Sequence, residues 1–403
     1  MGAVMDVDDD ARTIGRRLYQ IRKARGKSLR VVAGLSGVVS ASTLSRIENG
    51  LRALDSRAEI VALADALQIA PSELTRMDAS APGNGVTDMA VEAVRVAFMA
   101  VDHDQPGGEV LPVEALRARV WAILDARCRH DRQGEAAVVL PGLIRDLHTS
   151  IAAGRDVAEL LDLAVLLHTQ GTGAWLRVTG GPLDLRRDAA RLARQAAQDR
   201  DTPTAGGIAA VGTVGVMLAA GTFDLALGEL DSVTVSTASS ESAQLAGMLA
   251  LSRSLVAAAD RRPADVEATL EYADELAQHT GEGNAYWMGF GPTNVGLWRM
   301  AGALEVRDYQ QAATIAESLQ PDVHPNLPRR AVYWVDYGRA LTRLRGRHDH
   351  AVMALCRAEK MSPHHVLRNP FMPDVLVELL ARSRRDAVGR ELRGMAYRAG
   401  LLV

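Results

Sequence analysis

From Val86 onward the chain never runs much longer than one helix without interruption. Apolar residues recur three and four apart, the spacing that places them on one face of a helix. Short Gly, Pro or Asp breaks cut this pattern near 102–108, 131–134, 153–156, 179–182, 199–206, 221, 260–263, 279–284, 306–308, 320–328, 346–349 and 361–373. Strand signals are few, and the valine- and threonine-rich piece VTVSTASS (233–240) reads as a helix-ending loop. Helices of this length with short connections pack as antiparallel neighbours, and a long series of them builds a solenoid. The fold class expected is therefore all-α. At 403 residues, 48% of them hydrophobic, the chain exceeds one small module and suggests at least two domains.

A different pattern occupies residues 28–50, SLRVVAGLSGVVSASTLSRIENG. Ser28 is placed to cap a short helix whose inner face would carry Val32, Ala33 and Leu35, and Gly37 sits where the chain must turn sharply. Ser40 or Ser42 would cap a second short helix, with Leu44 and Ile47 inward and Ala41, Thr43, Ser45 and Arg46 outward. Small and hydroxylated side chains there let a backbone approach a groove closely and still offer hydrogen bonds to base edges or phosphates.

Charge supports this reading. Between Arg12 and Arg52 ten Lys or Arg face a single acid, Glu48, so the segment carries a net +9 while the whole chain carries −3. An acidic body with one basic patch is the footprint of a protein that presents one face to nucleic acid. Arginine is abundant throughout, with only three lysines in the chain, but abundance does not account for the missing acids in that window.

Residues 13–77 resemble the XRE (Cro/cI-like) helix-turn-helix family. IGRRLYQIRKARGKSL corresponds to the first helix and entry, LRVVAGLSG to the second, STLSRIENG to the recognition helix and RAEIVALADALQIAPSEL to the closing helices, five in all. The turn GVVSAS is one residue longer than is usual there, and LRALDSR stands where a Pro-containing loop is common. The resemblance implies operator recognition by a homodimer. The residues expected on double-stranded DNA are Arg16, Arg17, Lys27, Arg30, Ser40, Ala41, Ser42, Thr43, Ser45, Arg46, Asn49 and Arg52.

The remaining boundaries follow from composition. MGAVMDVDDDA (1–11) reads as a disordered acidic tail, 12–77 as the DNA-binding domain, DASAPGNG (78–85) as a linker and 86–403 as the helical-repeat domain. Within the last, AVYWVDYGRALTRLRGRHDHAVMALCRAEKMSP (331–363) resembles a tetratricopeptide repeat. Gly346 falls at its inter-helix turn, Ala351, Leu355 and Ala358 form the small-residue face of its second helix, and Pro363 ends it. Residues 307–321 and 221–230 look like further degenerate second helices.

Aromatic residues make up only 4% of the chain, yet many fall in two stretches, GNAYWMGFGPTNVGLW and AVYWVDYG. Asn284, Tyr286, Trp287, Phe290, Asn294, Trp298, Tyr333, Trp334 and Tyr337 are the candidate effector-binding residues, with His324, Asn326 and Arg330 nearby. Aromatic walls with a few amides suit a peptide or a small organic effector. Ordinary packing between helices is the competing account.

Enzyme signals are poor, and no enzyme is expected. The glycines of GEGNAYWMGFGP follow no strand, HExxH is absent, and His148 and His168 each stand singly in apolar helical patterns. Adjacent His364 and His365 point apart on a helix. Cys128 and Cys356 lack partners at metal-ligand spacing, so neither a metal nor another cofactor is expected. No run of about twenty apolar residues occurs and the N-terminus is acidic, so the expected location is the cytoplasm, on the nucleoid, without membrane contact. These readings converge on a sequence-specific transcriptional regulator whose repeat domain dimerises and senses an effector. The alternative is a DNA-tethered scaffold whose solenoid docks a partner protein.

Overall fold

The computed structural model describes residues 13–75 and 85–401, and among them the regular elements are helical, apart from an isolated antiparallel bridge between Gly283 and Phe290. The expected tail and all of the expected linker except Gly85 lie outside the described residues. Five helices come first: α1 (Ile14–Ala24), α2 (Leu29–Ser36), α3 (Ala41–Glu48), α4 (Arg57–Leu67) and α5 (Pro71–Thr75).

Local chemistry sets their ends. Thr13, Ser28 and Ser40 are N-caps whose side chains accept hydrogen bonds from the amides of Arg16, Val31 and Thr43. Gly37 closes α2 in the left-handed conformation, at φ 64°, leaving Val38 and Val39 to complete the turn. Ser40 rather than Ser42 is thus the cap of α3. The inner faces of these helices meet in one core, where Ile14, Leu18, Val32, Leu44, Ile47, Leu54, Leu63 and Leu67 have no exposed surface. Burying each such side chain stabilises the fold by roughly 1.5–3 kcal/mol. Leu35, expected inside, is 61% exposed: Val32 and Ala33 define the buried face of α2, and Leu35 falls off that stripe.

The second region runs α6 (Gly85–Asp102), α7 (Val113–His130), α8 (Gln133–Ala152), α9 (Val157–Leu166), α10 (Ala174–Thr179), α11 (Leu183–Arg200), α12 (Pro203–Ala220), α13 (Phe223–Asp231), α14 (Ser240–Ala259) and α15 (Pro263–Thr280). It continues with α16 (Pro292–Glu305), α17 (Tyr309–Ser318), α18 (Leu327–Arg343), α19 (His348–Met361), α20 (Pro363–Leu367), α21 (Met372–Leu380) and α22 (Ala387–Arg398). Most of the breaks read from the sequence fall at or between helix ends, but the stretch 361–373 contains the short helix α20, and the gap between α21 and α22 was not among them. A π-helical segment, Leu167–Gly173, joins α9 to α10 without a break and was not anticipated.

Helices pack on the next one or two in the chain: α9 on α11, α11 on α12, α12 on α13 and α14, α14 on α15 and α16, α16 on α17 and α18, α18 on α19. Such nearest-neighbour stacking is that of a helical solenoid. In the α18–α19 hairpin Gly346 makes the turn at φ 75°, and a Cβ on Gly338 would lie 2.7 Å from the Leu355 side chain, so a small residue is required for the two helices to approach. By length and composition α12 is apolar enough to cross a membrane; here it is sandwiched between α11, α13 and α14. The solenoid also curls round on itself, since α7 meets α18 and α10 meets α20.

The first five helices are clamped onto this body. The Asp374 carboxylate, near the start of α21, accepts hydrogen bonds from the amides of Ile14 at 2.7 Å and Gly15 at 2.9 Å, serving as a second cap for α1. Glu378 accepts from the Ala53 amide at 2.9 Å and pairs with Arg343 at 3.0 Å. Arg339 and Arg343 donate to the carbonyls of Asp55 and Ala53 at 2.8 and 2.7 Å. Glu305 accepts from the Arg57 amide at 2.8 Å and pairs with its guanidinium, while Glu59 takes Arg307 at 2.5 Å and Arg52 at 3.0 Å. Phe371 inserts its ring among the partly buried members of the first core.

Candidate nucleic-acid interface and effector site

The position of α3 depends on one buried ion pair. Arg22 of α1 meets Glu48 at the end of α3 through two bonds of 2.6 Å, Nε to Oε1 and Nη2 to Oε2, and spends a third donor on the Lys27 carbonyl at 2.9 Å. Both side chains are almost fully buried, and the Glu48 bond holds the Arg22 guanidinium above its usual pKa. A bidentate pair fixes direction as well as distance, so α3 is held in one orientation against α1.

The opposite face of α3 is open. Ser40, Ser42, Arg46 and Asn49 are exposed, and Ala41, Thr43 and Ser45 partly so, with the whole solenoid in place. Ser40 Oγ lies 2.9 Å from Ser42 Oγ and 3.0 Å from Thr43 Oγ1, a small hydroxyl cluster at the helix start. Asn49 donates to the Ser45 carbonyl at 2.7 Å. Arg46 projects without an ion pair among the described residues, as does exposed Arg30 on α2. Exposed donors and hydroxyls on a short, rigidly held helix are suited to base edges and phosphates.

Other expected contacts lie elsewhere. Arg17 is 4% exposed and donates to the Leu74 carbonyl at 2.7 Å, which ties α1 to α5. Lys27 reaches the Ala66 carbonyl at 2.6 Å, and Arg52 is engaged by Glu59. Arg16 lies with its guanidinium 4.6 Å from the Tyr19 ring centre. Two exposed bases were not singled out from the sequence: Lys23 in the last turn of α1, and Arg25 just beyond it, which donates to the Gln68 carbonyl at 3.3 Å. A place at a helix C-terminus, where cations are favoured, was the available signal.

The aromatic stretches do not form one wall. Tyr286, Trp287, Phe290 and Trp298 pack with the core around α14 and α15, whereas Tyr333, Trp334 and Tyr337 belong to a separate core and stack on one another at 4.8–6.3 Å. Phe290 fills a notch at Gly247, where a Cβ would lie 2.0 Å from its ring. Its loop is tied down by the Gln244 side chain accepting from the Ala285 amide at 3.0 Å, by Asn326 donating to the Trp287 carbonyl at 3.1 Å and by His324 Nε2 against the Gly289 carbonyl at 3.1 Å. These bonds hold Tyr286 and Trp287 at φ 54° and 55°, a region that side chains disfavour. Asn284 joins this loop, half-buried.

Asn294, fully buried, and Trp298 act together on one cation. Asn294 Oδ1 accepts from Arg329 Nε and Nη2 at 3.2 and 2.8 Å, and the guanidinium lies 5.6 Å from the Trp298 ring centre. His148 and His168, single in the sequence, meet at 2.8 Å between their Nε2 atoms. Burial lowers His148 to about 4 and His168 well below its ordinary value, so both are neutral and one ring donates to the other.

A family model described as a helix-turn-helix domain matches residues 13–77. Residues 13–77 are a helix-turn-helix DNA-binding domain. No curated protein and no solved structure matches the chain. Within this domain α2 and α3 are the two helices of the motif, and the exposed face of α3 is the surface that meets DNA in such domains.

Proposed function

We propose that this protein is a sequence-specific transcriptional regulator of the XRE (Cro/cI-like) type, acting as a homodimer in the cytoplasm, with a tetratricopeptide-like domain that senses an effector and carries no catalytic activity. The observation that carries the reading is the open face of α3 on a domain otherwise clamped to the solenoid. Arg46, Thr43, Ser45 and Asn49 read bases, and Lys23, Arg25 and Arg30 neutralise phosphates. Because the clamp runs through Asp374, Glu378, Glu305, Arg339 and Arg343, the DNA-binding domain moves with the helices that carry those residues. A change in curvature of the solenoid would therefore alter the separation of two recognition helices, which sit near 34 Å apart on successive major grooves.

Genome-wide capture of DNA by the purified full chain tests this. Wild type is expected to enrich a short two-fold symmetric motif that a Thr43→Ala, Arg46→Ala double variant does not. Equal enrichment by both proteins, or no motif with either, would defeat the reading.

A further inference from the structure

The exposed cations of the DNA-binding domain have no acid beside them in the sequence that could answer them. Glu48 is the single acid between Arg12 and Arg52, and it is buried against Arg22. Lys23, Arg25, Arg30 and Arg46 are exposed, and none of the four makes an ion pair among the described residues. Lys23 lies 5.7 Å from the Tyr19 ring centre and Arg25 reaches the Gln68 carbonyl at 3.3 Å, contacts that leave both charges unneutralised. On the solenoid surface, by contrast, Arg95, Arg119, Arg200 and Arg253 are each paired with an aspartate. Cations gathered on one small domain build a positive potential that draws in the nearest available anion.

The chain carries such an anion at the right place. Asp6, Asp8, Asp9 and Asp10 put four carboxylates into five consecutive positions, and no basic residue precedes Arg12. The point from which they are tethered is beside the recognition helix. The backbone of Gly15 lies against the Ile47 carbonyl of α3 with no room for a side chain between them, and Asp374 fixes the amides of Ile14 and Gly15. The eight residues of α3 span about 12 Å and the eleven of α1 about 16 Å, whereas twelve residues of chain reach up to about 40 Å when extended. All of Lys23, Arg30 and Arg46 are therefore within reach. A tether this short presents its carboxylates at an effective concentration on the order of millimolar.

We propose that residues 6–10 dock on the basic surface around α3, pairing their carboxylates with Lys23, Arg30 and Arg46, and so occupy in the DNA-free protein the face that DNA must take. Exposed ion pairs are individually weak, so the docked segment yields to DNA, whose denser phosphates also release counterions. The contact is a brake and not a block. It acts on operator and random DNA alike, because both need the same face. Cations already paired with aspartate have fewer counterions to release, so the full chain binds DNA with a shallower salt dependence than a chain without these carboxylates. The proposal adds a regulation to the DNA-binding reading and rests on that reading only for this consequence.

The first test uses no DNA. Zero-length carbodiimide coupling joins a carboxylate to an amine only where the two meet, and the chain has three lysines: Lys23 in the proposed contact, Lys27 engaged by the Ala66 carbonyl at 2.6 Å, and Lys360 on the solenoid. Peptide mapping of the coupled full chain is expected to join residues 6–10 to Lys23, with a lower yield in an Arg30→Ala, Arg46→Ala variant. Absence of the Lys23 product, or a yield that this variant leaves unchanged, would overturn the proposal. The second test is affinity for a random duplex. A variant carrying Asp6→Asn, Asp8→Asn, Asp9→Asn and Asp10→Asn should bind about fivefold more tightly than wild type at low salt, with a steeper salt dependence, and the two should converge at high salt as the contact is screened. Equal affinity at low salt would overturn the proposal as well. Long-range repulsion alone would give tighter binding without the Lys23 product, so the two results together decide. Failure of every chain to bind DNA would defeat the DNA-binding reading and leave the coupling result to judge the docked segment.

Discussion

The two faces of the helix-turn-helix domain use polar residues in opposite ways. On the face turned toward the solenoid, Asp55, Glu59, Asp374, Glu378 and Glu305 are almost fully buried, and each is engaged by a backbone amide, an arginine or both. On the α3 face, Ser42, Arg46 and Asn49 are exposed and Arg46 makes no ion pair among the described residues. Polar groups that lose water during folding must find protein partners, whereas those awaiting another molecule keep their water until it arrives. The difference separates a face committed to the architecture from one left open to another molecule.

The largest expected effect comes from the pair that joins the two faces. Glu48→Ala leaves Arg22 buried and unpaired, which should cost about 3–5 kcal/mol of stability. Denaturant unfolding of the full chain would show it as a lowered midpoint, with loss of operator binding because α3 is no longer held. A loss below about 1 kcal/mol would mean that α3 is positioned by its apolar contacts alone.

Next is Asp374→Ala, which leaves the amides of Ile14 and Gly15 without an acceptor. Hydrogen bonds to a charged group contribute about 1.5–3 kcal/mol each, and removal of their shared acceptor is expected to undock the domain. Limited proteolysis should then cut near residues 53–56, now buried beneath Glu378, Arg339 and Arg343. Wild-type protease resistance would show that the clamp does not depend on Asp374.

A pH series separates the two regions of the chain. His148 is lowered to about 4 and His324 to about 3, both chiefly by burial. Below the ordinary value of 6.5 the unfolded chain therefore takes up protons that the folded one refuses, and stability falls as pH drops from 6.5 toward those values. For His148 the full difference is on the order of 3 kcal/mol. Both residues lie in the solenoid, so its unfolding midpoint should fall between pH 6.5 and 4. If midpoints were flat over that range, the two imidazoles would not be buried and neutral.

Much of this arrangement was legible in the residues themselves. The caps Ser28 and Ser40, the turn glycine Gly37 and the inward Leu44 and Ile47 are local signals, set by a few neighbouring residues, and the helix breaks of the solenoid are too. What the sequence hid is long-range. Arg17 and Arg30 carry the same charge, but only the fold sends one to the Leu74 carbonyl and leaves the other in water. The aromatic stretches looked like a single site because they are close in the chain, yet curvature assigns them to separate cores.

Two smaller effects refine the contrast between the faces of the DNA-binding domain. Arg46→Ala should weaken operator binding by about 1–3 kcal/mol if the arginine reads a base, while stability changes by no more than about 0.5 kcal/mol. Equal weakening on operator and on random DNA would place Arg46 on a phosphate instead.

The smallest change expected is at Leu35. It is 61% exposed at the end of α2, so Leu35→Ser removes little buried apolar surface and should shift stability by less than about 0.5 kcal/mol. The informative comparison is concentration. If Leu35 faces only water, the variant and wild type should show the same small difference in unfolding midpoint at every protein concentration. A difference that grows with concentration would mean that a second chain covers Leu35, and the outward side of this domain would then hold a protein contact as well as the surface that meets DNA.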